Sequence, residues 1–172
     1  DPEPSVAREI GQQYQQQWQT QYQQKWLTMM AGKLGIIDPK PSDRALIESL
    51  LQWMQTHQAD FTATFCDLMS VKQLAIRPCY ADAAFQAWHE KWQQRITCPQ
   101  TAQACMRQHN PQVIPRNHQV ERALQAAEQN DWEPFQRLHQ ALQEPYTIAP
   151  KITWLQTPPQ PHERISQTFC GT

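Results

Sequence analysis

The chain is poor in glycine and poor in charge. Its 172 residues hold only 4 glycines against 14 prolines. Phosphate-cradling loops need clustered glycines so that backbone N–H groups can close around the ligand, and neither G-x-G-x-x-G nor G-x-x-x-x-G-K-[ST] can be written from this sequence. Charged residues make up 18% of the chain and the net charge is -1. That balance supplies no basic face to displace counterions, which argues against nucleic acid or an anionic membrane as partner. No long uncharged apolar run reads as a spanning helix or a signal peptide. The 5 cysteines include no C-x-x-C pair, and the 6 histidines form no H-x-x-x-H unit, so no metal site is expected. An odd cysteine count without a secretory signal fits a reducing cytoplasm, where Cys66, Cys98 and Cys105 are expected as small buried groups within or beside helices.

What is present is helical periodicity. Residues 1–4 read as a proline-bearing linker, 5–144 as a helical domain and 145–172 as a proline-rich, irregular tail ending in Cys170. Ile10, Tyr14, Trp18, Tyr22, Trp26 and Met30 recur every four residues along a first long helix, with Leu27, Leu34 and Ile37 widening the apolar face. This row reads as a core stripe rather than a platform for stacking bases, because the spacing is helical and the charge neutral. Gly32, Gly35 and the prolines at 39 and 41 end it. A second helix from Ser42 turns Leu46, Ile47, Leu50, Leu51 and Met54 inward, and a third, capped by Asp60, buries Phe61, Phe65, Leu68 and Met69. Val71 to Pro78 reads as a connector. A fourth helix over about Tyr80 to Ile96 places Ala84, Phe85, Trp88, Trp92 and Ile96 along one side, and a fifth starts from a Thr97/Gln100 capping box. Asn110-Pro111 stops that helix, and Asn117 is placed to cap the next, which turns Val120, Leu124 and Ala127 inward. Gln129-Asn130-Asp131 reverses the chain into a last helix with Trp132, Phe135, Leu138 and Leu142 inward. The expected fold is all-α, an orthogonal or irregular bundle of about six or seven helices.

Two sites invite chemistry. Arg116, after Pro115 and near a helix start, could clamp a phosphate or carboxylate, and His118 could move a proton. The structural alternative is an arginine bracing its loop and a histidine exposed on the first helical turn. No nucleophile, carboxylate pair or phosphate loop accompanies them, so no catalytic residue is assigned. Cys170, in a segment without an expected packing partner, is the redox candidate. Its alternative is that Phe169-Cys170 simply docks the tail.

Three ordered segments carry a resemblance. Gly32-Lys33-Leu34-Gly35 followed by Ala59 to Phe65, then Asn110-Pro111-Gln112-Val113-Ile114-Pro115-Arg116-Asn117-His118, then Thr168-Phe169-Cys170-Gly171-Thr172, resemble the carboxy-terminal region of the selenoprotein O family of protein adenylyltransferases. The resemblance implies a parent with a kinase-like core that uses ATP and a divalent metal such as magnesium to transfer AMP to protein Ser, Thr or Tyr hydroxyls. None of the family's ATP-binding or metal-ligating residues can be assigned here. It implies that the chain buttresses that core, that Arg116, Asn117 and His118 are structural or face the substrate, and that Cys170 is redox-active. The chain alone is then expected to be inactive. Its expected partners are the amino-terminal core of the same protein, protein substrates and, through any apolar face left uncovered, a second copy of itself. The alternative function is an autonomous helical module that recruits a partner protein.

Overall fold

Helix-forming residues dominate, and the computed structural model, which describes residues 4–147 and 153–164, is all-α. Among the described residues it is 73% helical with no strand and nine α-helices, seven of them of seven residues or more. These are α1 (Pro4–Lys33), α2 (Asp43–Thr56), α3 (Phe61–Asp67), α4 (Val71–Ile76), α5 (Ala83–Arg95), α6 (Pro99–His109), α7 (Asn117–Glu128), α8 (Glu133–Gln143) and α9 (Thr153–Gln156), with short 3-10 turns at Pro78–Ala81 and Pro161–Glu163. The chain forms two compact units.

One unit comprises Asp1–Gln55 and Pro78–His109. Its core joins Met30, Ala31 and Leu34 at the end of α1 with Ile47, Leu50 and Trp53 of α2, Phe85, Trp88 and Trp92 of α5, and Met106 of α6. Three indoles are buried there because each N–H finds an acceptor: Trp53 donates to the Asp82 carboxylate at 2.9 Å, Trp88 to the Leu46 carbonyl at 2.8 Å and Trp92 to the Leu34 carbonyl at 2.9 Å. Arg95 adds a two-pronged clamp on the buried Asp43 carboxylate, at 2.7 and 3.0 Å. At the end of α1, Gly35 adopts φ +71°, and a Cβ there would meet the Ala102 carbonyl oxygen at 2.8 Å. Only glycine accommodates both the turn and that approach.

The other unit comprises Thr56–Arg77 and Asn110–Thr172. Asp60 caps α3, accepting from the Ala63 N–H at 2.8 Å. Asn130, at φ 63°, makes the left-handed turn between α7 and α8, and Asp131 accepts the Glu133 N–H at 3.1 Å. Val113, Ala123, Leu138 and Leu155 form the core cluster of this hairpin.

Several sequence expectations change. The row Ile10, Tyr14, Trp18 and Tyr22 is not core: it is exposed along α1, and only from Met30 onward is that helix deeply buried. Periodicity identifies an apolar face but not what meets it. Ile37, Phe61, Leu124, Trp132 and Phe135 are likewise exposed, as is Ala84. The stretch after Val71 is not a connector but a short helix, capped by Ser70, followed by a 3-10 turn. Helix α6 starts from Cys98 rather than Thr97, with the Cys98 carbonyl accepting the Ala102 N–H at 3.0 Å. Within the carboxy-terminal segment, α9 inserts Leu155 into the hairpin core, an anchor that the surrounding prolines concealed.

Candidate functional site

The segment from Asn110 to His118 is held before its side chains are considered. The Gln112 and Val113 N–H groups both donate to the Pro145 carbonyl, at 2.6 and 3.2 Å, and Cys66 Sγ reaches the Pro111 carbonyl at 3.4 Å. Pro115 precedes Arg116, whose extended backbone, φ -66° and ψ 131°, makes it the residue that flanks α7. Asn117 is therefore the first helical residue and exposed, not the cap expected from its type.

Arg116 points inward. Its two terminal nitrogens bind the two Asp60 oxygens at 2.7 and 2.8 Å, the side-by-side geometry that suits guanidinium and carboxylate. The Arg116 side chain is 7% exposed and that of Asp60 23%. Burial alone would raise the Asp60 carboxyl, but the Arg116 hydrogen bond, the Ala63 N–H and the charges of Arg116 and Arg77 outweigh it and hold the group below its ordinary value. Asp60 thus serves the α3 amino terminus and the Arg116 fork together. Arg77 is also anchored in this unit, on the Asp67 carboxylate at 3.0 Å.

His118 is buried, not exposed as expected. Burial lowers its pKa; Glu163 opposes that, while Arg122 and Arg116 add to it. The Gln119 side-chain amide lies 3.0 Å from Nε2. With that amide donating, Nε2 accepts and the proton of the neutral ring sits on Nδ1, which, like Arg116 Nε, has no hydrogen-bond partner among the described residues. Arg122 pairs with Glu163 at the rim. The structure thus gathers Arg116 and His118 near the start of α7, with charges of opposite sign already matched.

This arrangement joins chain segments. The Arg116 fork is filled by Asp60, and the Arg95 fork by Asp43 and the Asp38 carbonyl. Among the described residues no three His, Cys, Asp or Glu side chains gather to hold a metal ion. No described helix is long and apolar enough to cross a membrane.

Among the thiols, Cys66 and Cys105 are half-buried, and burial raises the Cys105 pKa. Cys98 is exposed rather than buried, and hydrogen bonding with Thr101 lowers its pKa. The clue to that difference was Pro99, which starts α6 and leaves Cys98 at the helix edge. Cys170 lies outside the described residues.

Residues 6–143 match the family model described as protein adenylyltransferase SelO. Among similar proteins, the protein nucleotidyltransferase YdiU of Nitrosococcus oceani is 47% identical over 152 residues, covering 86% of this chain and 31% of that protein. Its namesake in Alcanivorax borkumensis is 45% identical, with the same coverage of each chain, and that of Syntrophotalea carbinolica is 41% identical, covering 83% of this chain and 30% of its own. The chain spans under a third of the length of these relatives. On the extent of that match, the chain belongs to the SelO protein adenylyltransferase family.

Proposed function

We propose that this chain is the carboxy-terminal helical region of a protein adenylyltransferase, where it supports a kinase-like core and is inactive alone. The observation that carries this is the family match over residues 6–143, combined with the small share of each relative that the chain covers. Internal pairing agrees with it: the arginines best placed to bind phosphate are already spent on Asp60 and Asp43. In this proposal the whole protein binds ATP and magnesium in the remainder of its length. It transfers AMP to hydroxyls of protein substrates in the cytoplasm. Cys170 supplies a thiol able to form a disulfide under oxidation.

Transfer of labelled AMP from ATP to a mixed protein substrate tests the proposal, comparing this chain with the full-length gene product. Transfer by the full-length protein and not by this chain is expected. Transfer by neither removes the catalytic assignment, and transfer by this chain alone overturns its role as a support. Cys170→Ser in the full-length protein should abolish any difference in activity between oxidising and reducing conditions.

A further inference from the structure

From Arg8 to Lys25 every side chain of α1 is exposed. Helices of this kind draw most of their stability from packing an apolar face. Ile10, Tyr14, Trp18 and Tyr22 supply such a face, at 45, 69, 66 and 57% exposure. Each four-residue step drifts by about 40°, so the row covers roughly 120° of the circumference over about 18 Å, the width of a core-facing stripe. The Trp18 and Tyr22 rings are already stacked, 5.5 Å apart and 14° from parallel. At roughly 150–250 Å² for each aromatic side chain, the three exposed rings present about 300–500 Å², the size of the largest apolar patch on a typical monomer, which is often functional.

The chemistry narrows the occupant. Between Glu9 and Lys25 no residue is charged, and glutamines flank the row. The complementary surface is therefore apolar and uncharged. A second copy is a poor match on two counts. A long side-by-side seam between like helices requires a repeat of about 3.5 residues, and a stable dimer by any crossing buries about 800 Å² on each partner, more than this face offers. A tethered segment has a high effective concentration and loses less translational and rotational freedom, so a smaller face suffices. The relatives extend far beyond the aligned part, which makes up 31% of the Nitrosococcus protein.

We propose that the Ile10, Tyr14, Trp18 and Tyr22 face docks in cis into an uncharged apolar groove on the remainder of the full-length polypeptide. A four-residue ridge fits the grooves of a helix crossing at about 50°. This inference rests on the proposal that the chain is one region of a longer adenylyltransferase.

Hydrogen exchange of the amides of residues 10–25, measured on this chain and on the full-length gene product, tests it. Exchange is expected to be fast in this chain and at least about 100-fold slower in the full-length protein, since each tenfold reflects about 1.4 kcal/mol of docking. Trp18→Ala, which keeps a strong helix former, should restore fast exchange there, whereas Gln16→Ala on the opposite side of α1 should not. The protection should survive a rise in salt from about 0.05 to about 0.5 M. Equally fast exchange in both proteins, protection lost in high salt, or protection already present in this chain would each overturn the inference; dependence of the last on concentration would identify a second copy. The AMP-transfer assay separates the two proposals, because protection without transfer leaves the docking face standing and removes only the catalytic reading.

Discussion

Replacing Arg116 with methionine should destabilise the unit built on α3 and α7 far more than loss of an ordinary surface ion pair would. The substitution keeps much of the side-chain stem but strips the fork from Asp60, leaving a carboxylate only 23% exposed with the Ala63 N–H and the more distant Arg77 charge. Breaking a buried pair from one side costs about 3–5 kcal/mol. The partial exposure of Asp60 brings the expected loss to about 2–4 kcal/mol, still above the ~0–1 kcal/mol of exposed pairs. With a urea dependence of about 2 kcal/mol per molar, the midpoint of unfolding should fall by about 1–2 M. Asp60→Asn is the informative companion, because asparagine retains N-capping ability while removing the charge. In the double variant no carboxylate is stranded, so it should be more stable than the sum of the single losses implies, with a coupling of about 1–3 kcal/mol. Arg116→Lys should recover only part of the loss, since an ammonium cannot form the two parallel bonds. A loss below about 1 kcal/mol for Arg116→Met, or a coupling near zero, would refute the assignment of Arg116 as a structural clamp.

Further outcomes follow from the buried titratable groups and from the end of α1. Asp60 and Asp43 are both held below the ordinary carboxyl value of 3.8, so their contribution is fully present above that value and is lost as pH falls through their lower folded pKa values. His118 is also lowered, from 6.5, so the unfolded chain takes up its proton first and stability begins to decline as pH falls through that region. Burial lowers His89 in the same way, so urea titrations at stepped pH should show two declines, and His118→Gln should shrink the upper one while leaving the lower one in place. Gly35→Ala should cost about 1–3 kcal/mol, since φ +71° is strained for alanine and its Cβ would meet backbone atoms of Ala102 at 2.8 and 3.0 Å; an unchanged midpoint in thermal unfolding would show that the α1 end relaxes freely.

Local signals were the ones legible in the sequence. Asp60 as the α3 cap and Asn130 as the left-handed residue of the α7–α8 turn each follow from the chemistry of one side chain acting on its own backbone. The burial of Phe85, Trp88 and Trp92 on one side of α5 followed from spacing alone. Long-range pairing was not legible. Nothing local tells that Arg116 meets a carboxylate 56 residues earlier, or that Trp92 spends its N–H on a carbonyl 58 residues away. His118 was misplaced for the same reason, since a polar residue on a first helical turn is ordinarily exposed, and here the chain folds over it.

The segment that most resembles a family signature is therefore, within this chain, a device for joining elements. Its prolines hold an extended path, its Gln112 and Val113 N–H groups fasten it to the Pro145 carbonyl, and its arginine ties the start of α7 to the start of α3. Each contact uses a strong donor on an acceptor within the same unit, which removes those groups from chemistry on a substrate. With the Arg116, Arg95 and Arg77 guanidiniums matched to carboxylates, these contacts hold the shape of each unit. Outward the chain presents, among other side chains, the uncharged aromatic row of α1, where apolar area rather than charge determines what can bind. Rigidity within the fold and an apolar face outside it arise from different parts of the sequence: fixed arginine–carboxylate forks in one case, a glutamine-flanked four-residue repeat in the other.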